Sequence, residues 1–382
     1  MFNRIRKNVI IVKKSVLFMI INMNIGGTEK ALLNMIAEMP KEKYDITFLM
    51  LEKKGGFLNS IPEYVKVEEL REYRIMKKIL NEPIQNTALS LLKEGYLIRA
   101  LILLYIYLIS KITGETSLLY KYLLRDVEII KHTYDIAVAY AGPMDFISYF
   151  IVKKVKAEKK LQWIHFDITK IGFNKYFARK YYKMFNQIFV VSKEGKEKVV
   201  SLLPEFSDMT DEFINIVSDK LVKEMAEKGQ GFIDDFEGIR ILTVGRLSRE
   251  KGQDLAIQVM LQIKAEGKNV KWYCVGDGNS RKEYEELINK YDLSNDFILL
   301  GALDNPYTLM KQCDIYVQPS RHEGYCITLS EAKCFNNTII CTNFTGAKEQ
   351  LQDFDRGVVV EFNAEQLVAE INKVINSLEV SY

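Results

Sequence analysis

The sequence has few of the residues that build metal or redox sites. Its 382 residues include three histidines and five cysteines, and no two cysteines have the C-x-x-C spacing of a zinc or redox motif. Three of the cysteines, Cys274, Cys313 and Cys341, fall in apolar runs that are typical of buried strands. We therefore expect a reduced, cytoplasmic protein that has no structural metal.

Long hydrophobic runs are also missing. A membrane-spanning helix needs roughly 18 or more apolar residues, and the nearest approach is 100–110, flanked by Arg99 and Lys111. That segment suits either a core helix or a helix that docks on a membrane surface. The apolar stretch 15–21 is too short for a convincing signal peptide and runs straight into Gly26-Gly27.

Charge of one sign is not in large excess. The formal net charge is +3, which gives no overall reason to expect nucleic acid as a partner. Basic residues nevertheless cluster at 4–14, 153–160 and 175–183. Such clusters are either solvated faces or contacts for a membrane surface or an acceptor phosphate.

What the chain does contain is an alternation of apolar, β-branched runs and helical stretches. This alternation predicts parallel sheets covered by helices, and the length allows two domains with separate cores. We place the domains at 1–216 and 217–382, with a helical insertion at about 70–130 in the first. The polar segment 218–238 is predicted to be a helix that leads into the second domain.

Two cations follow a predicted strand of the second domain. Residues 239–245 read as a buried strand, and 254–264 read as the next helix. Arg246 and Lys251 therefore lie on a loop at the carboxyl end of a strand, where ligands bind in open α/β sheets. Fixed positive charge there suits a pyrophosphate; the alternative is a pair of solvated loop charges.

Two glutamates follow another predicted strand, 313–319. Glu323 lies in the loop after it and Glu331 in the next helix, so both can face one crevice. Each carboxylate can accept two hydroxyl donors, which suits a sugar ring at Glu323 and a ribose at Glu331. The backbone amides of Gly324 and Tyr325, near the helix start, can meet phosphate or sugar oxygens.

A rival nucleotide motif begins at Gly276, in the segment Gly276-Asp277-Gly278-Asn279-Ser280-Arg281. A dinucleotide fingerprint needs a third small residue for helix packing, and the sixth position here is arginine. The Gly26-Gly27 turn has neither this spacing nor that of a phosphate-binding P-loop. NAD binding is therefore not predicted.

Four motifs occur in order along the chain. They are Gly26-Gly27-Thr28-Glu29, Val244-Gly245-Arg246-Leu247 through Lys251-Gly252, Asn305-Pro306-Tyr307, and Glu323 through Glu331 with Ala332. With these motifs the chain resembles the retaining glycosyltransferases of family 4, which have the GT-B fold of two Rossmann-like domains facing a cleft. Together with Trp163-Ile164-His165, the motif Asn305-Pro306-Tyr307 gives a finer likeness to bacterial enzymes that build capsular or exopolysaccharide repeat units.

The resemblance implies roles for residues that pattern alone leaves open. His165 would lie near the transferred sugar, whereas without the resemblance it reads as a structural histidine after a strand. The amides of Gly26 and Gly27 would approach the donor phosphates and the acceptor; the alternative is a tight turn without a ligand. The loop Asn305-Pro306-Tyr307 would lie by the nucleotide base, or is simply a proline-set helix start.

The implied reaction is retaining transfer of a hexose from a nucleotide-sugar, with a UDP-sugar expected, to a glycan or lipid-linked glycan acceptor. Arg246 and Lys251 would stabilise the departing diphosphate, with no cofactor and no obligatory metal. The protein would work in the cytoplasm, at the inner face of the membrane where the acceptor requires it. Two alternatives are a GT-B sugar-nucleotide epimerase or hydrolase, and a non-catalytic partner in a glycan assembly complex.

Overall fold

The first half of the chain forms a parallel sheet with helices on both faces. The computed structural model describes residues 13–142, 144–170 and 172–379, so the basic cluster at 4–14 lies almost wholly outside the described residues. The strands are β1 (Lys14–Ile20), β2 (Tyr44–Met50), β3 (Lys66–Glu69), β4 (Thr133–Gly142), β5 (Lys156–Ile164), β6 (Gln187–Val190) and β7 (Thr210–Glu212). The helices are α1 (Gly27–Glu38), α2 (Tyr73–Asn81), α3 (Ile84–Lys93), α4 (Leu97–Thr113), α5 (Ser117–Leu123), α6 (Asp145–Lys154), α7 (Lys175–Tyr181) and α8 (Lys193–Leu202).

The second half repeats this arrangement. Helix α9 (Asp219–Ala226) leads into it. The strands are β8 (Ile239–Val244), β9 (Val270–Val275), β10 (Phe297–Gly301), β11 (Ile315–Gln318), β12 (Thr338–Thr342) and β13 (Gly357–Val360). The helices are α10 (Gln253–Ala265), α11 (Arg281–Lys290), α12 (Tyr307–Gln312), α13 (Ile327–Ala332), α14 (Ala347–Leu351) and α15 (Ala364–Glu379).

Both sheets are doubly wound. The strand orders are β3-β2-β1-β4-β5-β6-β7 and β10-β9-β8-β11-β12-β13, and the paired strands within each sheet run parallel. Central strands such as β1 are buried on both faces, so their sequences read as continuous apolar runs. In each sheet the first strand is central. The next two strands are added on one side of it and the later strands on the other side. This reversal of strand order creates a crevice at the carboxyl edge. The two carboxyl edges face one cavity.

Several sequence-based expectations need correction. Only 219–226 of the segment 218–238 is helical, because the glycines that follow pack closely on α12: a Cβ on Gly231 would lie 2.3 Å from Gln312 Oε1. The strand β3 was missed since its sequence, Lys-Val-Glu-Glu, lacks an apolar face. The domain boundary at 216/217 stays a prediction; it falls between β7 and β8.

The insertion at about 70–130 consists of α2 to α5. It lies between β3 and β4 and contributes α3 and α4 as a helical hairpin. None of the described helices combines the length and apolar character that crossing a bilayer requires. The predicted helix at 100–110 forms the central part of α4, which extends it by three residues at each end.

Candidate functional site

A cavity of about 850 Å³ separates the two domains. Loops that follow β1, β4 and β5 line it from one side, and loops that follow β8, β9, β10 and β11 line it from the other. Of the twelve predicted site residues, the cavity wall includes Gly26, Gly27, His165, Arg246, Lys251, Pro306, Tyr307, Glu323, Gly324, Tyr325 and Glu331.

The twelfth, Asn305, does not line the cavity. Its side-chain amide donates to the Met225 carbonyl over 2.8 Å, and its Oδ1 accepts from the Tyr307 amide over 3.2 Å. Asn305 thus fixes the loop before α12 and joins it to α9. Pro306 and Tyr307 are the residues of this motif that reach the cavity.

Lys251 and Glu323 form an ion pair on the cavity wall. Lys251 Nζ donates to both carboxylate oxygens, at 2.6 and 2.7 Å, and Ser320 Oγ donates to Glu323 Oε1 at 2.7 Å. Burial disfavours the charged form of Lys251, but the Glu323 carboxylate outweighs this and the pKa of Lys251 lies above its ordinary value. Lys251 therefore stays charged and offers a cation to a ligand beside the Glu323 side chain.

Gly252 brings this ion pair together. Its φ is +71°, in the left-handed region, and a Cβ there would lie 1.9 Å from the Pro319 carbonyl oxygen. The loop after β8 can therefore pack directly against the end of β11. This close approach sets Lys251 beside Glu323 although 72 positions separate them.

Glu331 lies deeper, in the second turn of α13. Its side chain is 3% exposed, and its Oε1 accepts from the Tyr307 hydroxyl over 2.6 Å. Burial raises the pKa of Glu331, while the bond from Tyr307 and the nearby charge of Lys30 act against the rise. Tyr307 therefore orients one carboxylate oxygen in the cavity wall.

Arg246 extends into the cavity from the end of β8. Gln253 holds its backbone carbonyl at 3.0 Å, while its side chain is exposed. Glu29 lies across the cavity, in the first turn of α1. Burial raises the pKa of Glu29, and the charge of Arg246 acts against this rise. Between them sits Gly26, where a Cβ would lie 2.6 Å from Glu29 Oε2 and 3.5 Å from an Arg246 guanidinium nitrogen.

Two wall residues were missed as candidates from the sequence. Glu29 belonged to a quoted motif without a role, and Lys30 follows it. Lys30 Nζ lies 5.3 Å from the centre of the Tyr307 ring and 5.6 Å from that of Phe57, so it reaches across the cavity. A lysine in the first turn of a helix carries no sequence signal of such a contact.

His165 follows β5 and its ring is buried. The ring meets Tyr140 edge-on, with 4.4 Å between the ring centres, and its Nε2 has no hydrogen-bond partner among the described residues. Burial lowers the pKa of His165 to about 3, although a bond with the backbone of Tyr140 acts in the other direction. The imidazole is therefore neutral at physiological pH.

Gly324 lies in close contact with the first domain. A Cβ there would lie 1.9 Å from the His165 carbonyl oxygen, and Ser192 Oγ donates to the Gly324 carbonyl over 3.2 Å. A second contact lies nearby, where Asp167 accepts from Lys198 at 2.8 Å and from Thr345 at 2.7 Å. Both contacts hold the cavity walls at a fixed separation.

The buried imidazole leads to a prediction about acid stability. An unfolded histidine titrates near pH 6.5, so the neutral state in the fold contributes stability that is complete above pH 6.5 and is lost as the pH falls toward about 3. Between pH 7.5 and pH 5 the loss is about 2 kcal/mol. In His165→Gln the fall in the free energy of unfolding over this interval should shrink by that amount, measured by urea titration.

The pH dependence of stability in His165→Gln must be compared with that of the parent, because another buried group changes stability with pH in the opposite direction. Burial raises the pKa of Asp145 to about 7, so this carboxyl costs stability as the pH rises from about 4 toward 7. Asp145 is present in both proteins and its effect cancels in the difference. Exposed His132 gives the matched control, His132→Gln; equal pH dependence in all three proteins would contradict the buried neutral imidazole.

No group of three or more His, Cys, Asp or Glu side chains arranged to hold a metal ion occurs in the part of the chain that the structure describes. The Asp234-Asp235 pair, whose sequence hints at a metal motif, has another task. Asp234 accepts from Arg240 at 3.0 Å and from Tyr273 at 2.6 Å, which fixes the segment before β8. Metal independence itself stays a prediction.

The second half of the chain matches a known protein family. Residues 234–380 match the model of the glycosyl transferases group 1 family. An uncharacterised glycosyltransferase of Methanocaldococcus jannaschii is 34% identical over 182 residues, which cover 46% of this chain and 44% of the relative.

A second relative comes from Campylobacter jejuni. It is the N-acetylgalactosamine-N,N'-diacetylbacillosaminyl-diphospho-undecaprenol 4-alpha-N-acetylgalactosaminyltransferase, 28% identical over 198 residues, which cover 50% of this chain and 51% of the relative. The chain thus spans about half the length of the curated relatives it matches.

The whole chain resembles solved structures. Anabaena HepE in complex with UDP-glucose aligns with a TM-score of 0.66 over 96% of this chain and 90% of that one, at 16% identity. Together with two doubly wound sheets that face one cavity, this confirms the predicted GT-B fold. The protein therefore has a GT-B fold, and residues 234–380 of its second half match the glycosyl transferases group 1 family model.

Proposed function

We propose that the protein is a retaining glycosyltransferase that moves a hexose from a UDP-sugar to a lipid-linked glycan of a surface polysaccharide. The observation that carries the proposal is the cavity wall itself. Two cations, Arg246 and Lys251, come from the loop after β8, and two carboxylates, Glu323 and Glu331, come from the loop after β11 and from α13. All four line one cavity. A nucleoside diphosphate-sugar needs this combination, since it presents a pyrophosphate between two polyols.

The position of each group suggests its contact with the donor. Glu331 is buried and oriented by Tyr307, which suits two ribose hydroxyls, and Glu323 lies at the cavity surface, which suits the sugar. The cations Arg246 and Lys251 come from the loop after β8 and supply charge for the diphosphate. His165 and Gly26 approach from the opposite domain, where the acceptor must enter.

In the proposed reaction the acceptor hydroxyl attacks the anomeric carbon from the face that the diphosphate leaves. The bond between the anomeric carbon and the phosphate oxygen breaks, a bond to the acceptor oxygen forms, and the departing phosphate takes the hydroxyl proton. Negative charge grows on the diphosphate, so Arg246 and Lys251 stabilise the transition state more than the ground state. The reaction requires no metal.

Glu323 is not assigned as a covalent nucleophile. Lys251 and Ser320 already donate three hydrogen bonds to its carboxylate, which lowers its nucleophilicity and holds it at the cavity wall. The carboxylate can still accept hydrogen bonds from sugar hydroxyls while it keeps these bonds. We therefore assign it to sugar binding.

The choice of donor and acceptor draws on the similar proteins. HepE was solved with UDP-glucose, and the name of the Campylobacter jejuni relative describes transfer to a diphospho-undecaprenol-linked sugar. A capsular polysaccharide biosynthesis glycosyltransferase of Staphylococcus aureus is 26% identical over 189 residues. These support a UDP-sugar and a lipid-linked acceptor, and such an acceptor places the proposed reaction at a membrane.

Calorimetric titration with UDP, GDP, ADP and their sugars tests the donor site. The parent should bind UDP and one UDP-sugar, and Glu331→Ala and Arg246→Ala should each weaken binding by roughly tenfold or more, since each removes a charged hydrogen-bonding partner. Lys282→Ala, an exposed lysine outside the cavity, is the control. A folded parent that binds none of these nucleotides would exclude the proposed function.

A further inference from the structure

Exposed apolar side chains are concentrated on one segment. Of the 22 large hydrophobic side chains that are exposed among the described residues, ten lie between Leu89 and Ile112. This segment is the α3–α4 hairpin of the insertion. So dense a patch is unusual on the surface of a soluble domain and marks an interaction site.

On α4 the exposed residues form a continuous face. At 100° per residue, Leu97, Ile98, Leu101, Ile102, Tyr105, Leu108 and Ile112 fall within an arc of about 140°. All seven are exposed, with Ile98 at 74% and Ile112 at 82%, whereas only Ala100, Leu103 and Ile106 are buried. The charged residues Arg99 and Lys111 fall outside this arc on either side. The outer face of α4 is therefore apolar and uncharged along its length.

A basic pocket lies beside this face. It has a volume of about 560 Å³ and is formed by α5, which packs on α4, together with α6 and α7. No Asp or Glu occurs among its described lining residues, and five of the ten are cations: Lys121, Arg125, Lys153, Lys154 and Lys180.

Three of these cations, Lys121, Lys153 and Lys154, have no ion pair within the described residues. Lys180 pairs with Glu115 and Arg125 with Asp126, and Lys154 donates to a backbone carbonyl. Lys121 and Lys153 are exposed and form no salt bridge among the described residues. Positive charge is thus left over at the pocket mouth for a partner.

We infer that the outer face of α4 and the adjacent basic pocket form a docking surface for a membrane leaflet that contains anionic phospholipid. An apolar helix face flanked by cations is the arrangement that binds in the interfacial plane of such a membrane. A second copy of the chain fits less well, since a two-fold contact would set the like-charged pockets close to one another.

The position of this surface suits access to the cavity. The end of α4 is joined to α7, where the Asn174 amide donates to the Gly114 carbonyl at 3.0 Å. The loop just before Asn174 contains Phe166 and Lys170, which line the cavity. The inference rests on the proposed function for its purpose, because a docked protein would meet a lipid-linked acceptor at that edge. The apolar face and the basic pocket themselves do not depend on the proposed function.

Sedimentation with vesicles tests the surface. The parent should bind vesicles of phosphatidylcholine with phosphatidylglycerol more tightly than phosphatidylcholine alone, and added salt should weaken this preference. The double variant Ile98→Gln with Leu101→Gln should lose about tenfold or more in binding to both vesicles. The double variant Lys121→Ala with Lys153→Ala should lose roughly tenfold, for the anionic vesicles alone.

Matched controls separate this surface from any exposed apolar or basic residue. Ile233→Gln replaces a side chain that is 81% exposed elsewhere, and Lys282→Ala replaces an exposed lysine of the other domain. Neither should change vesicle binding. Unchanged binding in the α4 variant, or no binding of the parent to anionic vesicles, would overturn the inference, as would a dimeric parent that the α4 substitutions convert to a monomer.

Calorimetry with UDP on the same proteins distinguishes this inference from the proposed function. Both double variants lie outside the cavity and should bind UDP as the parent does. A parent that binds vesicles but not UDP would support the docking surface and contradict the donor site. A parent that binds UDP but not vesicles would support the donor site and contradict the docking surface.

Discussion

Replacement of Arg246 with alanine should lower kcat at saturating UDP-sugar by about 100- to 1,000-fold and leave the melting temperature nearly unchanged. Removing one donor that stabilises transition-state charge costs that much in other enzymes. Stability should hold because the side chain is exposed and forms no salt bridge within the described residues. Initial rates of UDP release with acceptor present, alongside thermal melts, give both quantities.

The control is Arg71→Ala, an exposed arginine far along the chain from the cavity loops, which should leave kcat unchanged. Arg246→Lys should recover part of the rate, because the charge remains while the planar pair of donors is lost. A fall in kcat of less than threefold in Arg246→Ala would remove this residue from the catalytic role.

Lys251 would be a less direct test of the same idea. Its removal leaves the Glu323 carboxylate, whose side chain is 9% exposed, without its cation, and an unpaired buried charge is strongly destabilising. Loss of activity in Lys251→Ala would therefore mix an effect on rate with an effect on the fold. Arg246 avoids this, because its side chain is exposed and forms no salt bridge within the described residues. Its charge acts only through space on Glu29 across the cavity and on Glu250 in its own loop.

Much of the fold follows from local sequence. Parallel strands buried on both faces are continuous apolar runs, so β1, β2, β8 and β9 could be placed to within a few residues. Ligands bind at the carboxyl ends of such strands, so the sequence alone predicts that Arg246, Lys251, Glu323 and Glu331 face one crevice. Those predictions needed only the order of strands, turns and charges.

Contacts across the cavity could not be predicted in this way. Lys30 approaches Tyr307, and Asp167 accepts a hydrogen bond from Thr345, which lies 178 positions away in the sequence. No local sequence pattern indicates either contact. The sequence also left two readings of the helix at 100–110. Its residues are apolar on nearly every side, so hydrophobicity alone does not say which face packs on the domain; tertiary structure decides it.

Gly324 offers the second large effect, because it tests the separation of the domains directly. In Gly324→Ala the new Cβ would lie 1.9 Å from the His165 carbonyl oxygen and 3.0 Å from Phe166 Cα, so one backbone must move. Misplacing reacting groups by about 1 Å can cost about 100-fold in rate. We therefore expect kcat/KM to fall about 100-fold and the free energy of unfolding to fall by about 1–3 kcal/mol.

Binding of UDP should change little in Gly324→Ala, since Arg246, Lys251 and Glu331 lie in the same domain and the alanine retains its backbone amide. The control is Gly172→Ala, where no atom lies within 4 Å of the added Cβ; its activity and stability should match the parent. Calorimetry and steady-state kinetics on both variants separate donor binding from domain approach. Full activity in Gly324→Ala would mean that the domains do not meet at this contact during turnover, and loss of UDP binding would place Gly324 in the donor site itself.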